Sequence, residues 1–109
     1  MLLLVQGYIN PVIDSNNPDP SAIALPEGGY LAVATSNQAS DSSVEAAFPI
    51  YYSENLVDWQ VRGNVFPPGL WPQYCDRNMW APEIHHVNGR FIIKNKELPY
   101  MCHEILIYI

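Results

Sequence analysis

The sequence predicts an all-β protein made of short antiparallel strands, and three observations support this prediction. Ten prolines and an aromatic content of 12% are typical of a chain rich in strands and turns. The apolar runs are short, and turn-forming residues separate them. No long stretch carries the apolar repeat of an amphipathic helix. With 109 residues, 49% of them hydrophobic, the chain can form one small domain or part of a larger one.

Four strands are predicted in the first part of the sequence. They span residues 22–25, 30–36, 48–53 and 60–66. The segment "PEGG" at residues 26–29 predicts a tight turn, because glycine adopts positive φ at little cost. Small and polar residues at 37–47 predict a longer loop between the second and third strands. We therefore expect a four-stranded meander whose continuously apolar second strand is buried on both faces.

A second sheet is predicted after residues 67–83, a segment rich in proline and aromatic residues that we expect to be an ordered loop. Strands at 83–87 and 90–95 flank Asn-Gly, which is a strong signal for a two-residue hairpin. A Pro-led segment, a strand, a turn and a strand also follow one another at residues 18–36. The repetition predicts a repeating sheet unit. The apolar run at 104–109 has strong β tendency but does not continue this rhythm.

Charge and composition exclude several classes of partner. The net charge of −6 and the presence of only five Lys and Arg residues argue against nucleic acid and against anionic membrane surfaces. No apolar run reaches the roughly 20 residues of a membrane span. Cys75 and Cys102 could form one disulfide or remain two thiols, so the sequence leaves the compartment open. Neutral ligands or soluble partners remain.

Three stretches together resemble glycoside hydrolase family 43, the β-xylosidases, α-L-arabinofuranosidases and endo-arabinanases. They are "NPVIDSNNPDPSAIAL", "FPIYYSENLVDWQVRGNVF" and "MWAPEIHHVNGRFII", which occur in this order along the chain. The resemblance implies a five-bladed β-propeller, of which residues 10–95 would supply the first blade of four antiparallel strands and the start of the second. Residues 96–109 depart from the family pattern and are expected to be a divergent tail. The chain would then be an N-terminal fragment or a truncated product.

The resemblance implies that Asp19 is the general base of an inverting glycosidase. In such enzymes the base activates a water molecule, and a carboxylic acid roughly 6.5–9.5 Å away protonates the leaving oxygen. Pro18 and Pro20 flank Asp19 and are expected to hold it in extended geometry, with little loss of entropy when it is aimed at a water. Taken without the family motifs, the Asp-Pro pair would indicate only a turn.

The resemblance also implies roles for several aromatic residues and for Glu83. Trp80 is the candidate for stacking on a sugar ring, while Trp71 and Tyr74 are expected to pack between blades. Trp59 and Tyr51 are expected in the core. The family's proton-donating glutamate and its pKa-tuning aspartate have no counterpart here, and Glu83 occupies a structural position of the family and is not assigned as the donor.

No cofactor and no metal site is predicted. The spacing of His85, His86, His103, Cys75 and Cys102 matches no tetrahedral ligand pattern. Neighbouring histidines on a strand also point to opposite faces of the sheet.

The function implied is hydrolysis of arabinose- or xylose-containing saccharides, with low activity expected for a chain that holds the base without the acid. The alternatives are a non-catalytic carbohydrate-binding or interaction propeller and a nonfunctional truncated product. An extracellular location would follow only if a full-length form carries a signal peptide, and the oligomeric state is not predicted.

Overall fold

A computed structural model describes residues 7–15, 17–35, 47–66, 81–95 and 105–107 of the chain. Seven strands lie in these ranges: β1 (Ser21–Ala24), β2 (Tyr30–Val33), β3 (Ala47–Ser53), β4 (Trp59–Phe66), β5 (Pro82–Val87), β6 (Arg90–Asn95) and β7 (Ile105–Ile107). All strand pairs are antiparallel, and the described residues form no helix. The predicted all-β class is therefore confirmed. Within these ranges no helix is long and apolar enough to cross a membrane.

The first sheet is the predicted meander, with strand order β1-β2-β3-β4. The turn between β1 and β2 is closed by hydrogen bonds from the Leu25 N–H to the Gly29 carbonyl at 2.9 Å and from the Gly28 N–H to the Leu25 carbonyl at 3.0 Å. Gly28 and Gly29 have φ values of 101° and 82°, a region that side chains with a Cβ avoid. This turn fixes the register of the hairpin, in which Ala24 pairs with Tyr30 and Ser21 with Val33.

The second sheet has strand order β5-β6-β7. Its hairpin turns at Asn88 and Gly89, which have φ values of 51° and 73°, as a type I′ turn requires. The predicted Asn-Gly hairpin is thus confirmed. The apolar run near the end of the sequence forms β7, which pairs with β6 from Ile105 to Ile107. The predicted tail therefore contains a strand, and the boundary at 96 stays a prediction.

One hydrophobic core joins the two sheets. Its buried members are Leu31, Val33, Phe48, Ile50, Val65, Phe66, Ile84 and Ile93. The first six belong to the first sheet and the last two belong to the second. In β2, Ala32 on the opposite face is buried as well, so the prediction that both faces of this strand are covered is confirmed.

Of the two aromatic residues expected in the core, one is buried and one is not. Tyr51 is buried in the central strand β3, as predicted. The prediction for Trp59 is wrong, because its side chain is only half-buried and its indole N–H donates to the Leu56 carbonyl at 3.1 Å. Trp59 begins β4 beside the largely exposed turn at residues 54–58, whereas the core members of this strand, Val65 and Phe66, lie at its other end.

Candidate active site

Asp19 lies two residues before β1, and the register of the first hairpin determines which residue lies opposite it. Ser21 pairs with Val33, so continuing the same antiparallel register by two residues places Asp19 opposite Thr35. The Thr35 N–H donates to the Pro18 carbonyl at 2.9 Å, which extends the pairing beyond the strand. The Thr35 hydroxyl donates to Asp19 Oδ2 at 3.0 Å. The carboxylate is therefore tied to the end of β2.

The backbone of Asp19 differs from the prediction. Its φ is 52°, in the left-handed region, and not the extended conformation that its flanking prolines were expected to impose. A following proline disfavours the right-handed α region, but it does not exclude the left-handed one. Asp tolerates this region better than most residues because its short polar side chain can form local hydrogen bonds. The contact with Thr35 holds the side chain in this conformation.

The start of the second sheet meets the same threonine. The Ala81 N–H donates to Thr35 Oγ1 at 2.8 Å, and Ala81 has a φ of 55°. A second link runs from the Ile84 N–H to Ser21 Oγ at 3.1 Å. The first strands of the two sheets, β1 and β5, consequently lie side by side, with Asp19 at one end of the seam between them.

A cavity of about 430 Å³ opens at this seam. Its lining residues are Asp19, Pro20, Ser21, Ala81, Pro82, Glu83 and His85. Glu83 and His85 share the solvent side of β5, and His85 Nε2 lies 3.5 Å from Glu83 Oε2. Asp19 is exposed, so its carboxylate is accessible to water and to a ligand in the cavity. The site combines carboxylate, hydroxyl and imidazole groups, which can accept or donate hydrogen bonds to sugar hydroxyls.

The segment before Asp19 is anchored on the central strand of the first sheet. The Tyr51 hydroxyl donates to Asn17 Oδ1 at 2.7 Å. The Asn17 amide in turn donates to Ser15 Oγ at 2.6 Å and to the Ser15 carbonyl at 3.2 Å. These contacts hold the chain two residues before Asp19 over the face of β3, and so restrict where the carboxylate can lie.

The two neighbouring histidines point in different directions, as predicted for a strand. His85 lines the cavity, whereas the ring of His86 stacks on Phe91 with 4.7 Å between the ring centroids. Among the described residues, no group of three or more His, Cys, Asp or Glu side chains could hold a metal ion. His103, Cys75 and Cys102 lie outside the described residues.

Several residues singled out from the sequence also lie outside the described ranges, namely Trp80, Trp71 and Tyr74. Sequence reasoning, in turn, missed Thr35. The signal for Thr35 was present, because a turn centred on Glu27 pairs residues whose numbers are equidistant from it, and 19 and 35 are such a pair. Predicting the turn centre would therefore have placed a hydroxyl opposite the candidate carboxylate.

Comparison with known proteins identifies the family. The model of the family described as glycosyl hydrolases family 43 matches residues 8–100. The chain belongs to glycosyl hydrolase family 43. The resemblance drawn from the three sequence stretches is thus confirmed.

Individual relatives in the family agree with this assignment. The chain is 25% identical over 96 residues to the non-reducing end α-L-arabinofuranosidase BoGH43B of Bacteroides ovatus, covering 84% of this chain and 17% of that protein. It is similar to the crystal structure of the GH43 protein BlXynB of Bacillus licheniformis (K247S mutant), with a TM-score of 0.63 and 27% identity. That match covers 84% of this chain and 18% of BlXynB.

A third similarity concerns the fold alone. The structure of a thermostable family-43 glycoside hydrolase matches with a TM-score of 0.63 and 24% identity, covering 92% of this chain and 30% of that one. The chain therefore spans less than a third of the length of each of these relatives.

Proposed function

We propose that the chain supplies the general-base side of an inverting glycoside hydrolase that acts on arabinose- or xylose-containing saccharides. Its two sheets would be the first blade and the start of the second blade of a five-bladed propeller. Membership of family 43 and the side-by-side arrangement of β1 and β5 support this proposal. The observation that carries it is the Asp19 carboxylate, held by Thr35 at the border of the cavity.

Asp19 would act by accepting a proton from water. Its Oδ2 accepts the Thr35 hydroxyl, which leaves Oδ1 to take the proton as the water oxygen attacks the anomeric carbon. The bond from that carbon to the leaving oxygen breaks with inversion, and the leaving oxygen takes a proton from a general acid on the opposite side of the sugar. Glu83 is not proposed as that acid, because the resemblance assigns it a structural position and its carboxylate lies 3.5 Å from His85 Nε2.

The sugar would lie in the cavity in front of Asp19. Ser21, Glu83 and His85 offer hydrogen-bonding groups for its hydroxyls. Trp80 directly precedes Ala81 at the cavity edge, and we propose that its ring stacks on the sugar. No cofactor is required by this reaction, because both proton transfers use carboxyl groups.

Turnover by this chain alone is expected to be very low. General acid catalysis is typically worth about 10²–10⁴-fold, and no acid is assigned in this chain. The chain spans only 17% of BoGH43B and 18% of BlXynB, which also fits a second candidate, a module that binds sugar without cleaving it. A product without function is the third reading.

The test measures both binding and turnover. The purified chain is titrated with xylose and arabinose oligosaccharides by NMR, and it is incubated with aryl arabinofuranoside and aryl xyloside. In parallel, residues 8–100 replace the matching segment of complete BlXynB, and hydrolysis by this hybrid is measured. We expect binding without turnover for the chain alone, and turnover by the hybrid that Asp19→Asn lowers by roughly 10²–10⁴-fold.

Matched variants separate the candidates. His85→Gln is expected to weaken sugar binding, whereas His86→Gln should not, because the ring of His86 stacks on Phe91 away from the cavity. A hybrid that keeps full turnover with Asp19→Asn contradicts the base assignment. Sugar binding by the chain together with an Asp19-independent hybrid would support the binding module, and a chain that neither binds sugar nor unfolds cooperatively in denaturant would support the third reading.

A further inference from the structure

We propose that Thr35 is a positioning residue that sets the Asp19 carboxylate and makes its orientation depend on the second sheet. This inference rests on the proposed role of Asp19 as general base. Thr35 would not touch the sugar or the reacting water. It would act through one hydroxyl group that contacts the carboxylate on one side and the start of β5 on the other.

The direction of each hydrogen bond follows from the chemistry of the hydroxyl. A threonine hydroxyl has one proton to donate and two lone pairs. The Ala81 N–H can only donate, so it uses a lone pair of Thr35 Oγ1 at 2.8 Å. The single hydroxyl proton is then directed at Asp19 Oδ2, 3.0 Å away. A chain of donors thus runs from the second sheet through Thr35 to the carboxylate.

The backbone around this hydroxyl indicates that both of its partners are held against their preferences. Asp19 and Ala81 have φ values of 52° and 55°, which residues other than glycine rarely adopt. Such conformations persist only where the surroundings over-determine them, and they concentrate at functional sites. Here the backbone bond from the Thr35 N–H to the Pro18 carbonyl adds a third constraint on the same few residues.

The two oxygens of the Asp19 carboxylate consequently have different roles. Oδ2 is engaged by Thr35, and within the described part of the chain Oδ1 accepts no side-chain hydrogen bond. Oδ1 is therefore the atom available to a water. Because the orienting hydroxyl is itself fixed by Ala81, the base is correctly aimed only when the start of the second sheet is docked on the first.

The experiment follows these contacts by NMR in the full 109-residue chain. Thr35→Val keeps the branched shape but removes the hydroxyl, and Thr35→Ser keeps the hydroxyl. We expect Thr35→Val to raise the exchange rate of the Ala81 amide at least tenfold and to average the Hα–Hβ couplings of Asp19 over several rotamers. Thr35→Ser should restore both readouts toward the wild type. If Thr35→Val prevents folding, Thr35→Ala serves as the hydroxyl-free variant.

Ser21→Ala is the matched control. It removes the other hydroxyl that links the sheets, so it should speed exchange of the Ile84 amide and leave the Asp19 couplings unchanged. Unchanged Asp19 couplings in Thr35→Val, or equal averaging in Ser21→Ala, would overturn the positioning role. These readouts do not depend on turnover. A hybrid in which Asp19→Asn keeps full activity would overturn the base assignment while leaving the Thr35 contacts as measured.

Discussion

In both sheets a residue with positive φ precedes the first strand, but the two residues contact Thr35 through different chemical groups. Asp19 stands just before β1 and Ala81 just before β5, and both have positive φ without being glycine. Both also contact the Thr35 side chain. However, Asp19 offers a carboxylate that borders the cavity, whereas Ala81 offers a backbone N–H. The same left-handed backbone conformation therefore places a carboxylate beside the cavity at Asp19 and links the second sheet to the first at Ala81.

This difference concerns the backbone strain at the two positions. A residue held in a sparsely populated backbone region costs on the order of 1–3 kcal/mol. At Ala81 the same conformation would be available to glycine at lower cost, so an alanine there gains nothing from its side chain. At Asp19 the side chain has a partner of its own in Thr35. The two contacts with Thr35 together require the two sheets to form one cooperative unit, and the largest predicted effect tests that condition.

Ile93→Ala is expected to lower the free energy of unfolding by about 2–5 kcal/mol, the usual cost of removing a buried isoleucine side chain. Ile93 belongs to the second sheet, is fully buried, and lies in the core shared with Phe48 and Val33 of the first sheet. Urea denaturation followed by circular dichroism and by tryptophan fluorescence should show one shifted transition by both probes.

The neighbouring Ile92→Ala is the control for this prediction. Ile92 is only half-buried on the other face of β6, so its loss should cost clearly less. Equal losses in the two variants would contradict the shared core. Two separate transitions would mean that the sheets unfold independently, and the link through Thr35 would then not be maintained by packing.

The strands and turns were predictable from the sequence because their signals are local. Alternating apolar residues and the turn segments "PEGG" and Asn88-Gly89 indicated six strands whose bounds lie within about three residues of those observed. The second strand was predicted to end at residue 36, but β2 ends at Val33. The family was also correctly inferred, since three motifs in one order are specific even though each alone is weak.

The details of the site were not predictable in the same way, because they depend on contacts distant in sequence. The Asp19 carboxylate is held by the Thr35 hydroxyl, 16 residues away, and the same hydroxyl accepts the N–H of Ala81, 46 residues further on. A proline restricts the backbone of the residue that precedes it, and this local rule predicted an extended conformation for Asp19. The half-buried Trp59 was missed for a related reason, since which end of β4 reaches the core depends on how the two sheets pack.

The next effect concerns the turn that places Asp19 opposite Thr35. Gly29→Ala is expected to cost about 1–3 kcal/mol more than Gly28→Ala. Both glycines have positive φ, so both substitutions carry backbone strain of roughly 1–2 kcal/mol. A Cβ at Gly29 would also lie 2.6 Å from Tyr52 Oη and 2.7 Å from its Cε2, whereas a Cβ at Gly28 meets nothing within 4 Å.

Relief of this clash requires Tyr52 to move, although the Arg62 guanidinium lies 4.6 Å from its ring centroid. Thermal unfolding of the two variants, converted to free energy at a common temperature, measures the difference. An equal loss would mean that the tyrosine moves without cost. A large loss of unfolding free energy in Gly29→Ala, together with averaged Hα–Hβ couplings of Asp19 in that variant, would show that the hairpin register orients the carboxylate.

The smallest predicted effect comes from glycine substitutions at Ala81 and Asp19, the two positive-φ residues that precede β5 and β1. Ala81→Gly is expected to raise the free energy of unfolding by up to about 1.5 kcal/mol, because glycine removes roughly 1–2 kcal/mol of left-handed strain and costs roughly 0.5–1 kcal/mol in chain entropy. Asp19→Gly relieves the same strain but also removes the hydrogen bond from Thr35, which is worth about 1.5 kcal/mol or more when the acceptor is charged. It should therefore leave stability unchanged or slightly lower it.

Urea denaturation of both variants provides the measurement. A gain at Asp19 as large as the gain at Ala81 would mean that the Thr35 contact does not stabilise the folded chain. A gain at Ala81 alone would indicate that the carboxylate is held at its position by a bond of its own, which is what a residue kept for its chemistry requires.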